Sequence, residues 1–336
     1  MCKSKQNHFN YGISLLKVFM SFVVVLCHCW QNTTTLSSVK SLLSMAVPTF
    51  MFVSFFLTQK GFMKKDLKYM RKRMWKLVFP QIVWSFVYFI AYWVLNRSRD
   101  LLPLVWQVFT GHSPNLNPAM WFQVNLIVFS VLFFIIFYCC NEKVGIIIIS
   151  MLFALCLFLQ YSEFNYSLFG ELRYELSYPL GRLAEVFPAA ILGFIASKYN
   201  LLVISKNNKN INVLIGFVLA ICFLALDSYL PFPHLNFQYA GIWKIGFAFG
   251  ITMFAYNIDF GFLINPKKSF IFNITNFTQG IYCSHNLICA VLYGLISVYT
   301  QGETGRFYQC IIIYIICYIM CWILSKFQLK WIKNLI

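Results

Sequence analysis

The chain has 336 residues, of which 60% are hydrophobic and only 11% are charged, and its mean hydropathy is +0.69. Soluble domains carry about 25% charged residues, so this composition excludes a soluble globular protein. The net charge of +17 lies in short basic clusters between apolar segments, without a recognisable nucleic-acid-binding module. We therefore expect an integral membrane protein that contacts the lipid bilayer and does not bind nucleic acid.

Ten apolar segments are long enough to cross a bilayer, which requires about 17–25 mostly apolar residues. The sequence therefore predicts an all-α, polytopic membrane protein of about ten transmembrane helices, folded as a single membrane-embedded domain over residues 1–336. The predicted spans, in chain order, are 12–30, 40–59, 76–95, 120–140, 144–160, 180–198, 211–229, 239–257, 276–299 and 307–325.

Lys and Arg residues concentrate in alternate connections between these spans, most densely from Lys60 to Lys76. Acidic residues such as Glu171 and Glu185 fall toward the opposite side. Cytoplasmic loops of membrane proteins carry an excess of Lys and Arg, so this distribution predicts that both termini are cytoplasmic.

A lysine and a histidine lie within the first predicted span. Lys17 and His28 are eleven residues apart, which is about 16 Å along a helix and within about 20° of the same direction. We expect both side chains, together with Ser21, to line a polar channel that runs from the cytoplasmic surface. The alternatives are a Lys17 side chain that extends to the lipid headgroups and a structural hydrogen bond from His28.

A second histidine lies in a polar patch of the ninth predicted span, from Gly280 to Asn286. Ionisable groups inside a bilayer are costly and are therefore functional candidates. His285 is a candidate catalytic residue and Asn286 a candidate substrate ligand, although an interhelical structural role explains the patch equally well.

Further polar residues lie in the outer halves of the predicted spans. Trp121, Gln123 and Asn125 form an aromatic and amide tract that would suit a sugar, and Glu185 lies three residues after Arg182. Two alternatives stay open, since a Trp at this depth is typical of the membrane interface and the charged residues could pair to hold the bundle.

The basic segment from Lys60 to Lys76 carries more charge than orientation requires. Arg and Lys bind phosphate groups well, so Arg71, Arg73 and Lys76 are candidates for binding a polyanionic cofactor at the mouth of a cavity. Contact with anionic lipid accounts for the same charges equally well.

A metal site is not expected. Cys27, His28 and Cys29 could be imagined as zinc ligands together with Cys283 and His285. However, successive residues of a helix point in different directions, and the chain contains no Cys-x-x-Cys pair.

Five sequence blocks, spread in order over almost the whole chain, resemble the membrane-bound acyltransferase-3 family. This family includes glycan O-acetyltransferases of bacterial surface polysaccharides. The blocks are Lys17 with His28, Val47-Pro48-Thr49-Phe50-Met51-Phe52, Arg71 to Pro80, Met120-Trp121-Phe122, and Gly280-Ile281-Tyr282 with His285.

The resemblance implies an enzyme of the bacterial inner membrane that transfers an acyl group, expected to be acetyl, from acetyl-CoA to a saccharide or lipid-linked glycan. His28 would be the general base, with His285 as a second catalytic candidate. Lys17, Arg71, Arg73 and Lys76 would bind the coenzyme. Trp121, Gln123, Asn125, Glu185 and Asn286 would contact the acceptor.

The chain departs from the family pattern at three positions. Ser14 stands where members often carry Asp, Phe55 follows Ser54 where many carry Gly, and Lys76 replaces the second of two arginines. Lysine lacks the bidentate fork of arginine, so Arg71 is a substitute candidate for binding the coenzyme.

Two other functions compete with this interpretation. A transporter or flippase for polysaccharide precursors would also have a polar interior, but it would not need a basic cytoplasmic mouth beside one histidine-bearing face. A glycan polymerase would usually have a large outer loop. The sequence leaves open whether the chain forms a homo-oligomer.

The predicted topology can be tested by cysteine labelling. Positions Lys65 and Lys206 should react from the cytoplasmic side, and positions Asn115 and Glu171 from the opposite side, because the positive-inside rule fixes the orientation. Labelling of position 65 from outside would contradict the predicted orientation.

Overall fold

The structure is a computed structural model that describes residues 10–30, 37–96, 100–111, 120–161, 174–230, 239–258, 270–296, 302–327 and 335. Within these ranges the chain forms eleven α-helices and no strand, which confirms the predicted all-α class. The helices are α1 (Tyr11–Trp30), α2 (Ser37–Met63), α3 (Leu67–Asn96), α4 (Leu102–Thr110), α5 (Trp121–Cys139), α6 (Glu142–Tyr161), α7 (Tyr174–Lys198), α8 (Lys209–Tyr229), α9 (Ile242–Asn257), α10 (Phe270–Ile296) and α11 (Gly302–Lys326).

Every predicted span falls on one of these helices, and α4, with nine residues, is an additional short helix. Seven described helices are long and apolar enough to cross a membrane: α1, α2, α3, α5, α6, α8 and α11. The other predicted spans fall on α7, α9 and α10, and α9 has only 16 residues. The count of ten spans therefore stays a prediction, and residues 297–299 of the ninth span lie outside the described residues.

Contacts at one end of the bundle bring together helix ends that the predicted topology assigns to the cytoplasmic side. Lys65, between α2 and α3, donates a hydrogen bond to the Cys140 carbonyl after α5, at 3.1 Å. Lys198 at the end of α7 forms an ion pair with Glu142 at the start of α6. These helices therefore alternate in direction, as consecutive membrane spans must.

The opposite end of the bundle also brings together helix ends that the predicted topology assigns to one side of the membrane. Lys244 near the start of α9 forms an ion pair with Asp227 near the end of α8, at 2.7 Å. Which end faces the cytoplasm stays a prediction, and the labelling positions Asn115 and Glu171 lie outside the described residues.

Helices α8 and α9 approach closely because glycines face each other across their contact. A Cβ atom at Gly216 would lie 2.4 Å from the Phe254 backbone nitrogen, and one at Gly250 would lie 2.7 Å from the Ala220 backbone nitrogen. Small residues at such contacts allow membrane helices to pack backbone against backbone.

An aromatic core fills the space between α2, α5 and α7. It includes Phe55, Phe133, Phe187 and Phe194, with ring centroids of neighbouring pairs 4.8 to 5.8 Å apart. Helices α2 and α7 cross at Gly193, where an added Cβ atom would lie 2.2 Å from the Phe52 carbonyl oxygen. Helix α2 is thereby enclosed near the centre of the bundle.

We predict that Gly193→Ala destabilises the bundle by roughly 1–3 kcal/mol, because the added methyl group would have to displace the α2 backbone. Thermal unfolding of the purified protein in detergent would measure this loss. Gly246→Ala is the matched control, since the three atoms nearest to its Cβ would all belong to the Phe223 ring, a side chain that can move, and not to a helix backbone. Equal stability of wild type and Gly193→Ala would contradict the close crossing of α2 and α7.

Candidate functional site

The two histidines predicted to be catalytic lie next to each other. His28 lies near the end of α1 and His285 in the middle of α10, and their ring centroids are 4.8 Å apart with the planes tilted by 52°. Helices α1 and α10 pack directly together, so a contact across 257 positions of sequence follows from the packing of the bundle.

The hydrogen bonds of His285 determine which ring nitrogen carries its proton. Nδ1 lies 2.6 Å from the Tyr282 carbonyl oxygen and 3.3 Å from that of Ile281. A carbonyl oxygen only accepts hydrogen bonds, so Nδ1 donates, and in the neutral ring Nε2 is an acceptor. The ring is fully buried, and Nε2 has no hydrogen-bond partner among the described residues.

A small chamber lies beside His28, and this residue contributes to its wall. Its volume is about 10 Å³, close to the minimum for one water molecule. We call it the histidine chamber. Its other lining residues are Val24, Cys27, Leu43, Val47, Trp121, Tyr239 and Tyr282.

A charged residue holds the aromatic wall of the histidine chamber in place. The Arg182 guanidinium lies 5.1 Å from the ring centroid of Trp121 and 5.1 Å from that of Tyr239. It also forms an ion pair with Glu185 at 2.5 Å, and the other Glu185 oxygen accepts a hydrogen bond from the Tyr239 backbone nitrogen. Glu185, a predicted acceptor ligand, thus lies behind the wall, and Trp121 lies in it.

The other predicted acceptor ligands are separated from one another. Asn125 is buried and donates to the Arg182 carbonyl oxygen at 3.2 Å, whereas Gln123 donates to that of Leu77 at 2.9 Å. Asn286 is partly buried beside His285 on α10. Only Trp121 of the predicted acceptor ligands lines the histidine chamber.

A second, larger cavity of about 240 Å³ contains Lys17, and we call it the lysine cavity. Its wall combines apolar side chains with hydroxyl and amide groups. The polar residues in this wall are Lys17, Ser54, Thr58, Gln123, Thr278, Gln279 and Tyr282.

Tyr282 lines both the lysine cavity and the histidine chamber. Its ring centroid lies 5.4 Å from that of Phe122 and 5.9 Å from that of His285. The single polar channel predicted from the spacing of Lys17 and His28 is therefore two spaces with an aromatic partition between them. The sequence identifies Tyr282 as part of the block Gly280-Ile281-Tyr282 but gives no sign of its place between two spaces.

The predicted place of Ser21 in that channel is wrong. Its hydroxyl donates to the Val18 carbonyl oxygen at 2.7 Å and lies 2.8 Å from the Tyr314 hydroxyl of α11. Ser21 is buried in this contact and lines neither of the two spaces.

The basic residues predicted to bind the coenzyme point in different directions. Arg73 turns inward, where Nε donates to the Ser130 hydroxyl at 2.8 Å and a terminal nitrogen donates to the Ser54 hydroxyl at 3.3 Å. Since Ser54 lines the lysine cavity, Arg73 borders that cavity. Arg71 and Lys76 are exposed and line neither space, so the structure does not bring all four coenzyme candidates together.

Comparison with known proteins identifies the domain. A family model described as an acyltransferase domain matches residues 10–330, a range that contains both histidines and both spaces. Searches of curated proteins and of solved structures find no match. With its set of membrane-length apolar helices, the chain is a multi-pass membrane protein, and it belongs to the acyltransferase-3 family.

Proposed function

We propose that the protein transfers an acyl group, expected to be acetyl, from acyl-CoA to a hydroxyl group of a surface glycan or a lipid-linked saccharide in the bacterial inner membrane. The observation that carries this proposal is the contact between His28 and His285, whose ring centroids are 4.8 Å apart. This pair lies within an acyltransferase domain, beside the Tyr282 ring that separates the lysine cavity from the histidine chamber.

His28 is proposed as the general base. Imidazole changes its charge near neutral pH, and His28 is an exposed side chain that also lines the chamber. It takes the proton of the acceptor hydroxyl as that oxygen attacks the thioester carbonyl carbon. When the carbon–sulfur bond breaks, the coenzyme leaves as its thiol after the sulfur receives that proton from His28.

The neighbouring side chains suit this reaction. His285 presents an unpaired Nε2 acceptor next to the His28 ring, which can hold an N–H group of His28 and so orient it. Tyr239 and Tyr282 line the chamber, with the Tyr239 hydroxyl 3.9 Å from the Cys27 sulfur, and hydroxyl donors stabilise the negative oxygen that develops during acyl transfer.

The lysine cavity is the proposed site for the donor, acetyl-CoA, which acts as a co-substrate. Its volume of about 240 Å³ is below that of typical small-molecule sites, roughly 300–1,000 Å³. We therefore assign it to the amide-containing arm of the coenzyme, with Gln123 and Gln279 as partners for the amide groups, and the acyl end of this arm points past Tyr282 toward the histidine chamber. Lys17, with Arg73 behind Ser54, contributes positive charge toward the phosphates.

A transporter is a weaker interpretation of this geometry. A transporter would require a continuous path through the bundle, whereas the Tyr282 ring lies between the lysine cavity and the histidine chamber.

We predict that His28→Ala lowers acetyl turnover by roughly 10²–10⁴-fold, the usual contribution of a positioned base. His28→Gln keeps much of the side-chain size and should show a similar loss. Transfer of labelled acetyl groups by the purified protein in lipid, with the amount of folded protein as reference, measures the effect.

Ser21→Ala is the matched control for this test, since Ser21 lies two turns away on the same helix and contacts Tyr314. It should retain near wild-type turnover. If His28→Gln also transferred acetyl at the wild-type rate, His28 would be structural and the proposed mechanism would be rejected.

The lining of the histidine chamber supports acetyl as the acyl group in this proposal. Its walls include Val24, Leu43 and Val47, and no Lys or Arg is among the described residues that line it. A succinyl carboxylate would therefore lack a charged partner there. The small volume favours acetyl over longer chains.

We predict that Val47→Ala increases the preference for propionyl-CoA relative to acetyl-CoA by about tenfold or more, because one methylene in an apolar pocket is worth about 1–3 kcal/mol. The ratio of kcat/KM values for the two donors measures the change. Val131→Ala, on the exposed side of α5, is the control and should leave the ratio unchanged. Equal use of succinyl-CoA and acetyl-CoA by the wild type would contradict the assignment.

A further inference from the structure

One face of α3 carries basic side chains outside the site described above. Lys68, Arg71, Lys72 and Trp75 are spaced at i, i+3, i+4 and i+7, which places them on one side of the helix. All four are exposed. With Met74 and Val78 they line a shallow surface groove of about 780 Å³, which we call the α3 groove.

The α3 groove is separate from the proposed donor site. None of its lining residues lines the lysine cavity or the histidine chamber. Arg73 follows Arg71 by two residues, a turn of about 200° around the helix, and binds Ser54 and Ser130 in the interior. Different residues of the basic segment thus lie on the interior side and on the exposed side of α3.

The charge of the α3 groove is uncompensated within the described part of the chain. Lys68, Arg71 and Lys72 form no ion pair there. The nearby Asp66 is engaged at the start of α3, where its carboxylate accepts a hydrogen bond from the Lys68 backbone nitrogen at 2.8 Å. Three neighbouring cations favour an anionic ligand that can accept several charge-assisted hydrogen bonds.

An apolar stripe continues from the α3 groove along the same helix. Trp75 stacks on Phe79 with ring centroids 5.0 Å apart, as expected of an aromatic residue at the membrane interface. The stripe consists of the exposed side chains of Ile82, Phe86, Ile90 and Trp93. From Ile82 to Trp93 it extends about 16 Å, long enough for an acyl chain to lie against it.

We propose that the α3 groove binds an anionic phospholipid of the surrounding bilayer. Lys68, Arg71 and Lys72 hold the headgroup phosphate, Trp75 lies at the level of the ester groups, and the acyl chains lie along the apolar stripe. The occupant is a phospholipid because one helix face combines a phosphate-binding end with a continuous surface for hydrocarbon. This inference does not depend on the proposed acyl transfer.

The test compares two double variants of the full-length protein purified in detergent. Lys68→Gln/Lys72→Gln removes two charges of the α3 groove. Lys60→Gln/Lys64→Gln removes the same charge from exposed positions at the same end of the bundle but outside the groove. Native mass spectrometry during titration with phosphatidylglycerol or phosphatidylcholine measures lipid retention, and the KM for acetyl-CoA is measured in parallel.

We expect the groove variant to bind phosphatidylglycerol roughly ten- to thirtyfold more weakly, since each basic residue near an anionic surface contributes about fivefold. Binding of phosphatidylcholine and the behaviour of the control variant should stay near the wild type. Equal losses in both variants would show that total charge controls binding and would overturn the proposal. Unchanged lipid retention with a raised KM for acetyl-CoA would also overturn it and assign the groove to the coenzyme.

Discussion

The absence of water in the bilayer interior is the constraint on which this structure depends. Polar groups that lie at membrane depth must find partners inside the protein, because lipid supplies none. Gln160 and Gln123 meet this requirement by donating to backbone carbonyl oxygens of neighbouring segments, at 2.8 and 2.9 Å. A few buried polar atoms of the described residues have no hydrogen-bond partner, and the Nε2 atom of His285 is the one that lies beside a second imidazole. An unsatisfied buried acceptor costs about 1–3 kcal/mol.

The same constraint explains why some intramembrane charges are structural. Arg182 satisfies its charge with Glu185 and with the faces of two aromatic rings, Trp121 and Tyr239. Glu185 in turn is satisfied by Arg182 and the Tyr239 backbone nitrogen. A charge that is fully engaged in this way is suited to fix a wall and not to bind a saccharide. The sequence identifies Arg182 and Glu185 as charged residues within a hydrophobic segment. Only their contacts in the structure distinguish a structural role from a role in catalysis or substrate binding.

The sequence predicted the elements of this fold better than their contacts. Within the described ranges, apolar length located every long helix, and helical periodicity placed Lys17 and His28 on related faces of α1, where each lines a space between helices. Periodicity could not determine that Ser21 meets Tyr314, which is 293 positions away, or that His28 meets His285. These contacts depend on which helices become neighbours, and one chain's hydrophobic pattern does not encode that arrangement.

The composition of the basic segment from Lys60 to Lys76 likewise does not determine which ligand its residues contact. Its composition indicated phosphate binding and lipid contact equally well, because both need cations near the membrane surface. The orientation of α3 separates the residues, since Arg73 contacts Ser54 and Ser130 inside the bundle while Arg71 is exposed. Short segments also escape a search for spans, and the nine-residue α4 was missed for that reason.

Tyr282 lies between the lysine cavity and the histidine chamber and borders both of them. Its ring contacts Phe122 and borders both the lysine cavity and the histidine chamber, while its backbone carbonyl oxygen accepts the Nδ1 hydrogen bond of His285. The residue that separates the two spaces therefore also determines which nitrogen of His285 faces away from its own helix. Because ring and carbonyl belong to the same turn of α10, a change in that turn would alter the partition and the orientation of His285 together.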